Sequence, residues 1–308
     1  MTKPRSHYVD PENVGIYHIT SRVVQRGFLL GDDPITGQNY DHRKALLLNR
    51  LKHLARFFPI KIYSYSVMDN HFHLVARYDP KEAARWSDEE VAKRWCAVFH
   101  GLPLDQTLDG PTEVEDFNFK QTLRYHELLL NPLRLEKCRG TLGSLSGFMK
   151  HFKQPFAVWA NHESGTKGHF FESRFYSGAL LTEQDLLTCM AYVDLNPVAA
   201  KIAKSLRDSS HTSINERLFQ HRINEADLEA YLAPLWETQS EEEHSDSPTP
   251  TTSLSCTLKH YAQQLNLAIV YLSHKQTRLD DKFESWIAML VNRERKQRAQ
   301  NPALFDYA

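Results

Sequence analysis

The 308-residue chain is 41% hydrophobic and 24% charged with a formal net charge of −1, the balance of a soluble globular protein with room for one large core or two small ones. No apolar run nears the ~20 residues of a membrane span, and the opening residues MTKPRSHYVDPENVG hold no secretory h-region, so neither insertion nor export is expected. Four singly scattered cysteines speak against a disulfide framework or a cysteine zinc site and for a reducing, cytoplasmic setting.

Residues 16–24 (IYHITSRVV) mix β-branched and aromatic with polar residues and predict a strand. Residues 31–40 are turn chemistry, with two Gly, a Pro, Asp and Asn. Leu47, Leu48, Leu51, Leu54 and Ala55 then recur at helical spacing up to Phe58, and Pro59 stops the helix. Residues 60–67 (IKIYSYSV) alternate with period two, residues 71–77 (HFHLVAR) form a second strand, and the turn at 68–70 makes the two a hairpin. The stretch 80–140, rich in charge with Trp86 and Trp95, is expected to be a helical insertion. Residues 142–159 read as a helix that Pro155 is expected to kink or shorten. After a loop and a short strand over 174–181, Thr182 and Asp185 form a variant capping box. The helix they open runs through Leu186, Leu187, Met190 and Val193 towards Pro197.

Strand–helix–strand–strand–helix–strand–helix is the order of a ferredoxin-like, split βαβ α+β fold, an antiparallel sheet with packed helices. Residues 216–239 are expected to be a helical connection and the acidic, proline-bearing 240–256 a flexible linker. Residues 257–308 are a helical C-terminal extension and a candidate separate docking element.

His71 and His73 flank Phe72 on a predicted strand, so alternation puts the two imidazoles on one face and the phenyl ring on the other. Two neutral imidazoles at that spacing can chelate one divalent ion; an inert surface pair is the competing reading, since the chain has 16 His. Tyr192 and Asn196 stand at i and i+4 before Pro197, on one helix face. A phenol is a poor nucleophile unless helped. A metal that polarises a scissile phosphate supplies that help, and Asn196 can offer it a neutral oxygen. The competing reading makes Tyr192 a core aromatic and Asn196 a helix cap.

Four segments in order resemble the HUH single-tyrosine transposases, and most closely the REP-associated tyrosine transposases. They are residues 17–22 (YHITSR), 65–75 (YSVMDNHFHLV), 168–175 (GHFFESRF) and 192–200 (YVDLNPVAA). The resemblance spans about residues 15–215 and implies a catalytic domain over 1–215; the last hundred residues lie outside it. It implies that His71 and His73 are the metal-binding pair, Asn196 the third ligand in this branch and Tyr192 the nucleophile. It further implies Mg2+ or Mn2+, a 5′-phosphotyrosine with a free 3′-hydroxyl, and a single-stranded or hairpin DNA substrate. A cytoplasmic, nucleoid-associated location follows, with monomer and homodimer both left open.

Arg22, Arg26, Lys150, Lys153 and Arg174 are candidates for phosphate contacts, and Tyr17, Trp159, Phe171 and Phe175 for stacking on unpaired bases. Glu172 is an alternative acidic ligand, while His18 reads as a structural histidine or a support for the metal pair. The basic excess is confined to residues 1–79, with 11 Lys+Arg against 7 Asp+Glu, and 141–207, with 7 against 5. Three other functions compete. A non-catalytic nucleic-acid-binding module lacks a use for the His pair, and an RNP-type signature is missing. A metal hydrolase would attack with activated water and form no covalent adduct. A helical interaction protein would act through the C-terminal region.

Overall fold

A computed structural model describes residues 9–98, 114–172, 174–219, 228–233 and 257–274. The expected linker over 240–256 and most of the connection over 216–239 lie outside them. The protein is mixed α and β, built on a four-stranded antiparallel sheet of order β2-β3-β1-β4. The strands are β1 (Gly15–Arg22), β2 (Ile60–Val67), β3 (His71–Tyr78) and β4 (Tyr176–Leu180). The helices are α1 (His42–Ala55), α2 (Pro80–Arg85), α3 (Asp88–Val98), α4 (Val114–Leu129), α5 (Pro132–Leu142) and α6 (Leu145–Glu163). After β4 come α7 (Glu183–Asp194), the single turn α8 (Asn196–Ala199), α9 (Ser213–Phe219) and α10 (Leu258–His274).

Alternation sorts every strand residue to one of two covered faces. On one, Ile19, Ile62, Tyr65, Val67, Phe72, Leu74 and Ala76 join Leu47, Leu51 and Leu54 of α1 and Phe148, Phe152 and Phe156 of α6 in a single core. Phe72 meets Phe152 edge-on at 5.2 Å between ring centres, the favoured geometry for an aromatic pair. On the other, Ile16, Val75 and Leu180 pack with Cys189, Met190 and Val193 of α7. Tyr63 joins this second core because the register of β2 on β3 shifts between Ile62 and Ser64.

Pro155 does not end α6, which continues to Glu163. A proline inside a helix leaves the carbonyl four residues earlier without its N–H. Here that carbonyl belongs to His151, and it accepts from Nε of Arg50 on α1 at 3.2 Å. A long-range side chain thus supplies the missing donor. The Arg50 guanidinium is buried to reach it, and burial lowers its pKa to about 10.

The N-terminus of α7 carries the reciprocal capping box, with Thr182 Oγ1 accepting from the Asp185 backbone and Asp185 accepting from the Thr182 backbone. At its other end the helix stops at Asp194, and α8 restarts at Asn196 with Pro197 in its first turn. Leu195 between them keeps right-handed helical backbone, and its N–H still donates to the Ala191 carbonyl at 2.9 Å. The α10 helix docks onto the second core through Tyr261, Leu265 and Ala268, so this part of the C-terminal region is no separate element. The Tyr261 hydroxyl donates to the buried Asp194 carboxylate at 2.8 Å, which also accepts from Ser213 Oγ at 2.7 Å and Ile214 N at 3.1 Å.

Candidate nucleophile and metal site

The register of β1 on β3 builds the site. Thr20 stands opposite His73 and Arg22 opposite His71, with His18 opposite Val75. Cross-strand partners share a face, so His18, Thr20, Arg22, His71 and His73 all point towards α7. All five are buried, His73 at 2% exposure and Arg22 at 3%. Above them the end of α7 brings Tyr192, whose ring lies edge-on to His73 at 5.4 Å and to His18 at 5.9 Å between centres. Tyr192 and Asn196 are both partly exposed as residues, while the Tyr192 hydroxyl itself is buried.

The hydrogen-bond distances are consistent with one tautomeric arrangement of the imidazoles. Nδ1 of His73 is 3.0 Å from Nε2 of His18, and its Nε2 faces Asn196 Nδ2 at 3.5 Å. With His73 protonated at Nδ1, that N–H donates to His18, and Nε2 keeps the lone pair aimed at Asn196. Nδ1 of His71 sits 2.6 Å from Asn70 Oδ1 and donates to it, which likewise leaves the lone pair on Nε2. The two rings are 4.8 Å apart between centres. Burial, reinforced by the nearby Arg22 charge, pushes His73 down to about 3. Burial first, then His73 and Arg22, holds His71 well below the ordinary histidine value. Both rings are neutral at physiological pH, the form that ligates metal.

These residues fit a divalent ion in donor type. Two imidazole rings lie side by side, an amide that presents Oδ1 when turned over stands beside His73 Nε2, and Asn70 and His18 lie within hydrogen-bond reach of the other ring nitrogens. A further sign is Thr20 Oγ1, which is buried opposite His73 with no hydrogen-bond partner; a polar atom is rarely left so without a ligand or water. Among the described residues no three His, Cys, Asp or Glu side chains gather as a metal cluster.

Of the other sequence candidates, Arg22 belongs to this site, closing β1 rather than following it. Glu172 lies across from Arg22, its backbone N–H donating to the Arg22 carbonyl at 2.8 Å. Arg26 sits on an exposed turn in left-handed backbone, φ 55. Lys150, Lys153 and Arg174 line a groove beside α6, a helix that packs on the opposite side of the sheet from α7. Tyr17 is buried on that opposite face, where its hydroxyl accepts from the Asp10 backbone at 3.0 Å, so it is a core aromatic and cannot stack on a base. Thr20 and Asn70 went unnoticed in the sequence. The available signal was the His18, Thr20, Arg22 alternation, matching the His71, His73 alternation on the strand beside it.

No protein-family model matches the chain, and no curated protein matches it. Among solved structures, a REP-associated tyrosine transposase bound to a REP hairpin aligns over 82% of this chain and 100% of its own, with 14% identity and a TM-score of 0.38. A likeness of that size is too distant to assign a fold or an activity.

Proposed function

We propose that the protein is a metal-dependent endonuclease and strand transferase of single-stranded or hairpin DNA, acting through a 5′-phosphotyrosine on Tyr192. One observation carries this reading: the Tyr192 ring stands over two buried, neutral imidazoles, with the Asn196 amide beside Nε2 of His73. In this reading residues 1–215 are an HUH-type catalytic domain on a ferredoxin-like frame. The chain order β1-α1-β2-β3-α6-β4 and the sheet order β2-β3-β1-β4 support that frame.

His71, His73 and Asn196 would hold Mg2+ or Mn2+, and two imidazoles with one amide suit Mn2+ somewhat better than the harder Mg2+. When bound, such an ion polarises the scissile phosphate and offsets charge that develops on it. Tyr192 Oη then attacks phosphorus. The P–O3′ bond breaks, its electron pair leaves on the 3′ oxygen, that oxygen takes a proton from water, and the phenolic proton passes to solvent. The phosphotyrosine keeps the ester bond, so a later 3′-hydroxyl can attack it and release Tyr192 without ATP. Arg22 supplies a fixed positive charge beside the reacting phosphate. Arg26, on the exposed turn after β1, is placed for a phosphate further along the strand. His18 is a positioning residue, since it fixes which nitrogen of His73 carries the proton.

A buried His pair with Tyr192 as mere packing would spare all nuclease chemistry, and metal-bound water as the attacking group would cleave without an adduct. The test is a labelled hairpin-DNA library incubated with Mn2+ and resolved on a denaturing protein gel. The expected result is a covalent protein–DNA band that needs metal and is absent in Tyr192→Phe. Cleavage with no such band, or an undiminished band in the variant, overturns the assignment.

A further inference from the structure

Away from the His and Tyr cluster, α6, residues 168–171 and residues 174–175 enclose an open groove of about 480 Å³, within the roughly 300–1,000 Å³ of ligand clefts. Lys150, Lys153, Gln154, Ala157 and Asn161 follow one stripe of α6 along it, while Phe148, Phe152 and Phe156 on the helix's other stripe are buried in the core. Arg174 and His169 supply the facing wall, and Phe171 and Phe175 the floor. Lys153 Nζ lies 4.8 Å from the centre of the Phe171 ring, a cation held against an aromatic face. No lining residue is acidic, in a protein whose formal net charge is −1.

We infer that this groove is a second DNA subsite, which takes an unpaired segment of the strand that Tyr192 cuts; the identity of the strand rests on the proposed function. Three chemical features select unpaired nucleic acid. Lys150 and Lys153, about one helical turn apart, with Arg174 facing them, offer cations to successive phosphates. Aromatic and apolar edges between them, including the exposed Val158, favour base faces, which a duplex keeps stacked inside itself. The absence of carboxylates removes the repulsion that an acidic neighbour would give. The groove is also coupled to the reaction site through the backbone. Its floor residue Phe171 bridges to Val23, and the next residue, Glu172, donates its N–H to the carbonyl of Arg22. A strand leaving the groove along that floor arrives at the end of β1, where Arg22 and His71 stand opposite one another.

The test is fluorescence anisotropy with a labelled oligothymidylate in EDTA, where no metal chemistry runs, titrated over a range of salt. The proteins are the wild type, the triple variant Lys150→Ala/Lys153→Ala/Arg174→Ala, the single charge reversal Lys150→Glu, the control Lys93→Ala and Tyr192→Phe. Thermal melts confirm that each is folded. The triple variant is expected to bind at least 10-fold more weakly, with a log–log salt slope shallower by about 2, since each phosphate of a single strand that is no longer neutralised lowers the slope by about 0.7. Lys150→Glu should weaken binding on its own, while Lys93→Ala and Tyr192→Phe should bind as the wild type does. An unchanged slope in the triple variant overturns the subsite, as does preference for the matching duplex, tighter binding of oligouridylate, or equal competition by polyglutamate. Normal binding with no cleavage in the wild type would sink the nuclease reading and leave the groove standing. Cleavage with groove-independent binding would do the reverse.

Discussion

The two faces of the central sheet are made by the same strands yet are built of opposite materials. Against α1 and α6 the strands present Ile19, Phe72, Leu74, Ile62 and Val67, all buried and apolar. Against α7 the same strands present His18, Thr20, Arg22, His71, His73, Ser64 and Ser66, equally buried and polar. Burial of polar groups is costly unless each is bonded, so the second face spends core positions on groups that a merely structural sheet would fill with Val and Ile. The apolar half of that face, Ile16, Val75, Leu180 and Tyr63 under α7 and α10, anchors the tyrosine helix. The polar half is where the proposed chemistry would sit. Local departure from core-building rules is where functional sites are expected.

Phe72 and His73 are neighbours on opposite faces, and they offer the sharpest way to break this contrast. Phe72→Ala is expected to lower unfolding free energy by about 3–5 kcal/mol, measured by urea denaturation. His73→Leu removes the polar atoms and leaves Nε2 of the buried His18 without its partner, so it should cost about 1–3 kcal/mol, less than Phe72→Ala, while Mn2+ binding by calorimetry disappears. Equal destabilisation by the two would make His73 a structural residue and erase the contrast.

A smaller effect tests how the apolar face tolerates Pro155. Arg50→Met removes the donor that replaces the missing helical N–H, leaves the His151 carbonyl unpaired, and should cost about 1–3 kcal/mol. Adding Pro155→Ala restores an N–H at the right place, so the double variant should regain most of that loss. Strict additivity of the two changes would show that Arg50 does not serve the carbonyl.

The smallest expected effect is a pH slope on the same face. Burial first, then Arg50 and Lys150, pushes His151 down to about 4. The unfolded chain takes up this proton near pH 6.5, whereas the native protein resists until about pH 4. Between those values the unfolded state binds more protons, so stability falls on acidification across that window. His151→Gln should flatten that part of the stability profile, and an unaltered profile would assign the slope to other groups.

Much of the frame was legible because its signals are local. The period-two run of β2, the His-Phe-His alternation of β3 and the Thr182/Asp185 cap each need only their own few residues, and each forms where expected. The groups around the chemistry were less legible. His18 looked structural because its meeting with His73 spans 55 residues and depends on strand register, which a one-residue slip would invert. Lys150, Lys153 and Arg174 were grouped with Arg22 by charge alone, yet the sheet separates them from it.

Composition and alternation by themselves therefore determined a mixed α and β protein, the strands and helices of its core, and the shared face of His71 and His73. Tertiary structure decided what those residues meet: that Arg50 sustains α6 through Pro155, that α10 clasps the end of α7 through Tyr261 and Asp194, and that Tyr192 stands over the imidazoles. The physical reason is range. Propensity and periodicity act within a turn or a strand, whereas a site is assembled from side chains whose positions are set by register and packing between segments far apart in the chain.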